Sequence, residues 1–314
     1  MMISLVIPVY NRPDEIVELL QSIAEQRFRD FEVVVVEDGS SRPCKEAIAP
    51  FADCFKLQYF YKENSGPGPS RNYGVQHAEG DYVIVLDSDC ILPPDYLSVV
   101  HRSLSQEPID AFGGPDRAHE SFTALQKAIN YSMTSFLTTG GIRGGMKKVD
   151  KFHPRSFNMG VRTAVWRKAG GFSAMRYGED VDFSIRLKEA GYRVVLISEA
   201  WVWHKRRNTL GSFFRQVYHF GQARICLYRK HPSTLKLMHL FPAAFAVGAV
   251  LLVLAAPFTR GWSLLPLALL ALLLFLDSLR LNRNLKVAAL SVVTAFTQQA
   301  GYGLGFLTEC FRRQ

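Results

Sequence analysis

Asp87-Ser88-Asp89 follows the apolar run Tyr82 to Leu86. Side chains in an extended strand repeat every two residues, so the two carboxylates point to the same side. Oxygen ligands of this kind suit Mg²⁺ or Mn²⁺, which keep several waters and complete their shell with phosphate oxygens of a substrate. Two more polar clusters end short β-branched runs: Val9-Tyr10-Asn11 after Ile3 to Pro8, and Glu37-Asp38-Gly39-Ser40 at the end of Phe31 to Glu37. Each alone reads as a strand-ending turn. Three at one edge of one sheet make a cation-demanding pocket, apt for a divalent metal holding a diphosphate. Far downstream, Glu179-Asp180-Val181-Asp182 opens a stretch with apolar residues at Val181, Phe183, Ile185 and Leu187, which predicts a helix beginning at the acids. Carboxylates in a first turn complement the helix dipole, and Asp180, held there beside a loop, can also serve as general base toward an acceptor hydroxyl. His204 follows the strand-like Arg193 to Ile197 and the run Trp201-Val202-Trp203. It reads either as a packing or surface residue or as a third protein ligand of the metal.

The elements that must position these groups alternate. Between the first two strands, Pro13 to Gln26 carries Ile16, Leu19, Leu20 and Ile23 at helical spacing. Leu57 to Tyr61 and Tyr82 to Leu86 are expected to be two further buried strands, separated by helical stretches near Pro43 to Phe51 and Pro69 to Ala78. That alternation predicts an α/β fold with a mostly parallel sheet between helices, and ligands in such sheets bind beyond the carboxyl ends of the strands. Gly66-Pro67-Gly68 lacks the third glycine of a dinucleotide fingerprint and carries a proline within it. Gly140 to Lys148 is a basic, glycine-rich segment that reads as a solvated linker or as a lid over the diphosphate.

With 314 residues, 48% hydrophobic, the chain can bury a full core. Its net charge of +9 is divided unevenly: 23 basic and 26 acidic residues up to Glu199, then 14 basic and 2 acidic from Ala200 onward. The slightly acidic first part argues against a nucleic-acid partner. Leu240 to Thr259 has no charged residue, and its 20 positions reach about 30 Å as a helix, the thickness of a hydrocarbon core. Gly261 to Leu276 is a second apolar run and Val287 to Thr308 a third, the last spanning or re-entrant. The expected organisation is a catalytic domain over 1–205, a basic amphipathic interfacial segment over 206–236, and a membrane domain over 237–314. Arg206, Arg207, Arg215, Arg224, Arg229 and Lys230 before the first run, and Arg280, Arg283 and Lys286 after the second, place both ends of that pair at the anionic inner leaflet. The first residues resemble no secretory signal, so the catalytic domain is expected in the cytoplasm, attached to the inner membrane. Leu210, Phe213, Phe214, Val217 and Phe220 recur at helical spacing, for a helix lying on that leaflet or packed on protein. Five scattered cysteines without a Cys-x-x-Cys pair suit a reducing compartment and argue against a zinc ribbon.

Pro8-Val9-Tyr10-Asn11, Glu37-Asp38-Gly39-Ser40, Asn64-Ser65-Gly66 through Ser70-Arg71-Asn72, Asp87-Ser88-Asp89, Asn158-Met159-Gly160 with Gly170-Gly171-Phe172, and Gly178-Glu179-Asp180 occur in the order found in family 2 glycosyltransferases of GT-A fold. The resemblance covers roughly residues 3–204. It implies an inverting transfer of a sugar from a nucleotide-diphosphate sugar to a hydroxyl. By that resemblance Pro8, Tyr10, Glu37, Asp38 and Arg71 line the nucleoside pocket, with Asp87, Ser88 and Asp89 on the donor. Asp89, Asp87 and His204 would hold the Mn²⁺ or Mg²⁺; Asp180 would be the base, supported by Glu179. Glu37 departs from the family's usual Asp. The region around Phe214 to Gly221 lacks the Gln-x-x-Arg-Trp signature of polymer-forming members. Near a bilayer, a lipid-linked or cell-envelope glycan is the expected acceptor. A polyprenyl-phosphate glycosyltransferase and a catalytically inactive membrane adaptor of the same fold are the alternatives.

Overall fold

The protein is described from a computed structural model, which covers residues 1–117, 122–139 and 152–312. Ten strands are described: β1 (Ile3–Val9), β2 (Phe31–Asp38), β3 (Lys56–Lys62), β4 (Tyr82–Leu86), β5 (Cys90–Ile91), β6 (Ala111–Gly113), β7 (Asp116–Arg117), β8 (Asn158–Arg162), β9 (Val194–Leu196) and β10 (Val202–His204). The helices before the C-terminal region are α1 (Pro13–Ala24), α2 (Lys45–Ile48), α3 (Pro67–His77), α4 (Tyr96–Gln106), α5 (Ala124–Thr134), α6 (Phe136–Thr139), α7 (Thr163–Ala169) and α8 (Glu179–Glu189). The rest are α9 (Leu210–Lys230), α10 (Phe241–Ala255), α11 (Leu265–Asn282) and α12 (Leu285–Phe311).

The chain divides into two compact units, Met1–His119 with Lys148–Lys205, and Glu120–Lys147 with Arg206–Gln314. The first is built on a seven-stranded sheet of order β3-β2-β1-β4-β8-β6-β9 and a three-stranded sheet of order β5-β10-β7. Strands β3, β2, β1 and β4 run parallel, while β8 is antiparallel to both β4 and β6. Alternation along the strands makes two cores. Ile3, Leu5, Ile7, Val33 and Val35 face Ile16, Leu19, Leu20 and Ile23 of α1 and Leu97 and Val100 of α4. Val6, Val34 and Val36 face Val75 of α3, Val165 and Trp166 of α7, and Phe183 and Leu187 of α8. A β-branched strand buried on both faces is the expected pattern for a sheet between two helical layers. β3 departs from the expectation of a fully buried strand: it is the sheet's edge, and its residues are only partly buried or exposed. Gln58, Tyr59 and Tyr61 stand in β3 where β1, β2 and β4 are rich in Val and Ile, which suits a strand with a neighbour on one side alone.

The second unit contains α5 and α6, although a single domain over 1–205 was expected to include them. Ile129 and Met133 of α5 pack on Phe213 and Val217 of α9, and Tyr131 donates to Asp277 Oδ2 of α11 at 2.8 Å. Phe213 and Val217, at the centre of the α9 apolar stripe, are thus covered by protein. α12 is one unbroken 27-residue helix that buries Ser291, Thr294, Ala295, Gln299, Gly301 and Gly305. Leu237–Ala255 and Trp262–Asn282 are long and apolar enough to cross a membrane, and the most apolar stretch of each is largely unburied. Gly140 to Lys148, the linker or lid of the sequence reading, lies outside the described residues.

Candidate active site

The parallel register aligns Val9 of β1 with Glu37 of β2, and Glu37 with Tyr61 of β3, so the carboxyl ends of these strands and of β4 form one edge. At that edge β2 delivers two acids to different tasks. Glu37 is fully buried and accepts from Ser40 Oγ, from the Cys44 N–H at 2.7 Å and from the Tyr59 hydroxyl at 3.4 Å. It fixes the loop after β2 from behind and exposes no oxygen toward a nucleoside. Asp38 accepts from the Ser65 and Gly66 N–H groups, both at 2.9 Å, and pairs with Lys62. Burial alone would raise its pKa; Lys62 and these N–H donors outweigh burial and hold the carboxyl below its usual range. Gly39, at φ +72, makes the turn between them possible, because a Cβ there would lie 2.6 Å from the Asn64 nitrogen. Pro8 is half-buried at the end of β1, and the Tyr10 ring is 53% exposed beside it.

Beyond β4, Asp87 receives Arg71 Nη2 at 2.5 Å, and the same guanidinium reaches Glu179 Oε1 at 3.3 Å. Arg71 is buried on α3. It joins the strand-end acids to the start of α8 rather than lining an open pocket. Gly68 on α3 lies beside Glu179, whose Cγ would be in ordinary van der Waals contact, at 3.4 Å, with a Cβ placed there. Ser88 is buried in the turn between the two aspartates. The pairing of β10 with β5 sets His204 opposite Cys90, and His204 Nε2 lies 3.1 Å from Asp89 Oδ1 and 3.9 Å from Asp87 Oδ2. The imidazole stacks on Phe157 with ring centroids 4.8 Å apart.

The donor set fits a hard divalent cation. Asp89 Oδ1 is buried and receives no hydrogen bond among the described residues, and His204 Nε2 faces it at 3.1 Å. A carboxylate oxygen and an imidazole nitrogen at that spacing could both reach one divalent ion. Cys90 completes a group whose ligand atoms lie within 4.8 Å of one another. Burial, then the charges of Asp89 and Asp87, keep its thiol pKa well above the ordinary value, and its Sγ donates to the Phe157 carbonyl at 3.5 Å. An oxygen-preferring ion would therefore be held by Asp89 and His204, with Asp87 at its flank.

The α8 acids divide their roles. Asp182 is fully buried, accepts from Ser173 Oγ at 2.8 Å and Arg186 Nε at 3.0 Å, and is structural. Asp180 Oδ1 takes the Val181 N–H at 2.8 Å, while Oδ2 has, among the described residues, the longer contacts to the Ser156 N–H at 3.3 Å and Arg155 at 3.5 Å. Burial, and then the charge of Asp180, push Glu179 up to about 7 against the opposing pull of Arg71. A Glu179 that keeps its proton puts no second negative charge beside Asp180.

Two residues outside the sequence motifs also reach the site: Arg12, whose Nη1 lies 2.5 Å from Asp89 Oδ2, and Arg155 beside Asp180. Arg12 follows the first strand-end cluster by one residue, which is the only local signal for it. Nothing near Arg155 marks it.

The sheet order and strand-end acids define a GT-A fold, followed by C-terminal helices of which two are apolar enough to span a membrane. The family model "Glycosyl transferase family 2" matches residues 4–169, and the chain belongs to that family. An uncharacterized glycosyltransferase of Haemophilus influenzae is 28% identical over 224 residues, 67% of this chain and 71% of that protein. One of Rickettsia conorii is 36% identical over 97 residues, 31% of this chain but only 16% of its own length. Among solved structures, the mannosyltransferase PcManGT of Pyrobaculum calidifontis, in complex with GDP-Man and Mn²⁺, superposes with a TM-score of 0.69 at 20% identity, covering 98% of this chain and 87% of that one. TarS 1-349 of S. aureus, in complex with UDP-GlcNAc, gives 0.51 at 21% identity over 72% and 67%.

Proposed function

We propose that this chain is a metal-dependent, inverting glycosyltransferase. It moves a sugar from a nucleotide-diphosphate sugar to a hydroxyl of a lipid-linked or cell-envelope glycan at the cytoplasmic face of the inner membrane. The observation that carries this reading is the Arg71 bridge, which ties Asp87, next to the Asp89–His204 pair, to Glu179, next to Asp180. Acids about a hundred residues apart in sequence thereby share one sheet edge. The nucleotide sugars in the two solved structures, with Mn²⁺ in one, support the donor class and the ion. A bound Mn²⁺ or Mg²⁺ would neutralise charge growing on the departing diphosphate.

The rest of the step falls to the chain's own residues. Asp180 Oδ2, the less engaged oxygen, takes the proton of the acceptor hydroxyl as that oxygen attacks the sugar from the face opposite the diphosphate. Attack from that face inverts the anomeric centre. Asp38 holds the loop leading into α3, and Tyr10 offers an exposed ring for the base. A phosphate acceptor needs no base, so the pair Glu179-Asp180 favours a hydroxyl acceptor over polyprenyl phosphate. The two exposed apolar helices and the basic segments at 206–236 and 280–286 support an inner-membrane anchor.

Asp180→Asn tests the assignment. Transfer should fall by about 10²- to 10⁴-fold while the dissociation constant for the donor stays the same. Full activity in that variant removes Asp180 from the role of base. A radiolabelled donor offered first with polyprenyl phosphate and then with a lipid-linked sugar separates the acceptor classes, and product with the first alone would reverse the acceptor assignment.

A further inference from the structure

Asp89 presents two chemically different oxygens. Oδ2 is taken by Arg12 Nη1 at 2.5 Å, and Arg12 is itself steadied by Glu15 at 3.1 Å. Oδ1 is buried, receives no hydrogen bond among the described residues and faces His204 Nε2 at 3.1 Å. The carboxylate can therefore offer an ion one oxygen, because the other is covered by a guanidinium.

The position of Arg12 is built into the fold. Asn11, just before it, sits at φ +53, in the left-handed region that asparagine enters more readily than most residues other than glycine. Loop contacts hold it there. The Asn11 N–H donates to Ser40 Oγ at 2.8 Å, and its side-chain oxygen accepts from Ser41 Oγ at 3.0 Å and the Arg42 N–H at 3.1 Å. Ser40 in turn donates to the buried Glu37. Pro13 then starts α1 at once, with Arg12 as its N-cap residue. The line Glu37, Ser40, Asn11, Arg12 thus aims a cation at one oxygen of Asp89.

We propose that Arg12 is a positioning residue that sets which divalent ion this site accepts, by holding Asp89 to one-oxygen coordination. Mg²⁺ and Mn²⁺ form six-coordinate shells that take single carboxylate oxygens. Ca²⁺ is larger, binds six to eight oxygens and readily takes both oxygens of one carboxylate. A carboxylate locked to a single oxygen therefore favours the smaller ions, and one free to turn accepts Ca²⁺ as well. The inference rests on the proposed ion site at Asp89 and His204 and adds the residue that selects among ions there.

The test is direct ion binding to the full-length protein in detergent, with Mn²⁺, Mg²⁺ and Ca²⁺ titrated separately by calorimetry. The proteins are the wild type, Arg12→Gln, Arg12→Lys and Asp89→Ala. The wild type should prefer Mn²⁺ and Mg²⁺ to Ca²⁺. Arg12→Gln should narrow that preference by about tenfold, the scale on which partners of metal ligands act. Arg12→Lys, which keeps the charge without the planar fork, should fall between them and guards against a folding defect in the first variant. Equal strengthening of all three ions in Arg12→Gln would make the guanidinium a competing charge only and overturn the inference, as would an unchanged ratio. Wild-type binding that survives Asp89→Ala, or no binding at all, would instead overturn the ion site and the inference with it.

Discussion

Glu37 and Asp38 are neighbours on β2 whose side chains alternate across the strand, one toward Cys44 and Tyr59, the other toward the start of α3. A pair of adjacent acids in sequence looks like one binding feature; the strand's period makes it two. The same separation of roles applies to Glu179 and Asp180, and it has a consequence for pH. A carboxyl raised to about 7 in the folded state, from 4.5 when exposed, holds its proton more tightly folded than unfolded. Stability is therefore lost as pH climbs from the lower value through the upper one. Glu179→Gln removes that titration. Between about pH 5 and pH 8 the wild type should lose on the order of 2 kcal/mol relative to this variant in thermal or denaturant unfolding. Parallel pH profiles for the two proteins would mean that Glu179 is ionised throughout.

At the scale of elements, α9 and α12 approach so closely that glycine is required. A Cβ at Gly221 would lie 2.1 Å from the Tyr302 carbonyl oxygen, and one at Gly305 would lie 1.9 Å from that of Tyr218. Gly305→Ala should force the helices apart and destabilise the protein by about 1–3 kcal/mol, measured as a lower midpoint of thermal unfolding in detergent. Gly248→Ala on α10, where a Cβ meets nothing within 4 Å, should leave the midpoint unchanged or raise it. In sequence the glycines at 301, 303 and 305 weaken the third apolar run; in the fold they mark the surface where that helix is packed. The strands were easier to read. β1, β2 and β4 fall within a residue of the spans expected from their β-branched runs, because local pattern and burial agree there. α8 begins at Glu179 as its acids and apolar spacing require.

For the whole molecule, the two units differ in how they present apolar surface. The first hides it in two cores on either side of a sheet. The second leaves Phe241, Leu251, Leu254, Phe258, Trp262 and Leu269 exposed along α10, α11 and the segment joining them. Exposed apolar side chains on two helices long and apolar enough to cross a membrane suit a hydrocarbon environment better than water. The proposed cytoplasmic placement of the catalytic unit has a direct test in a variant keeping Cys54 as its only cysteine, because that residue is exposed. A membrane-impermeant maleimide should leave it unlabelled in intact cells and label it after permeabilisation. Labelling of intact cells would place the unit outside. The placing of α5 with the C-terminal helices escaped sequence reading, since its burial depends on Phe213 and on Asp277, nearly 150 residues away.

Strand ends, the acids at them, the helix behind Glu179 and the apolar runs were all determined by residue type and short-range period, which act over a few positions. Which charges meet was decided only by the tertiary structure: Arg12 with Asp89 across 77 residues, and Arg71 with Glu179 across 108. The reason is that a local pattern carries the direction of a side chain but not the identity of what lies opposite it. That partner depends on how distant strands and helices come into register around a common core.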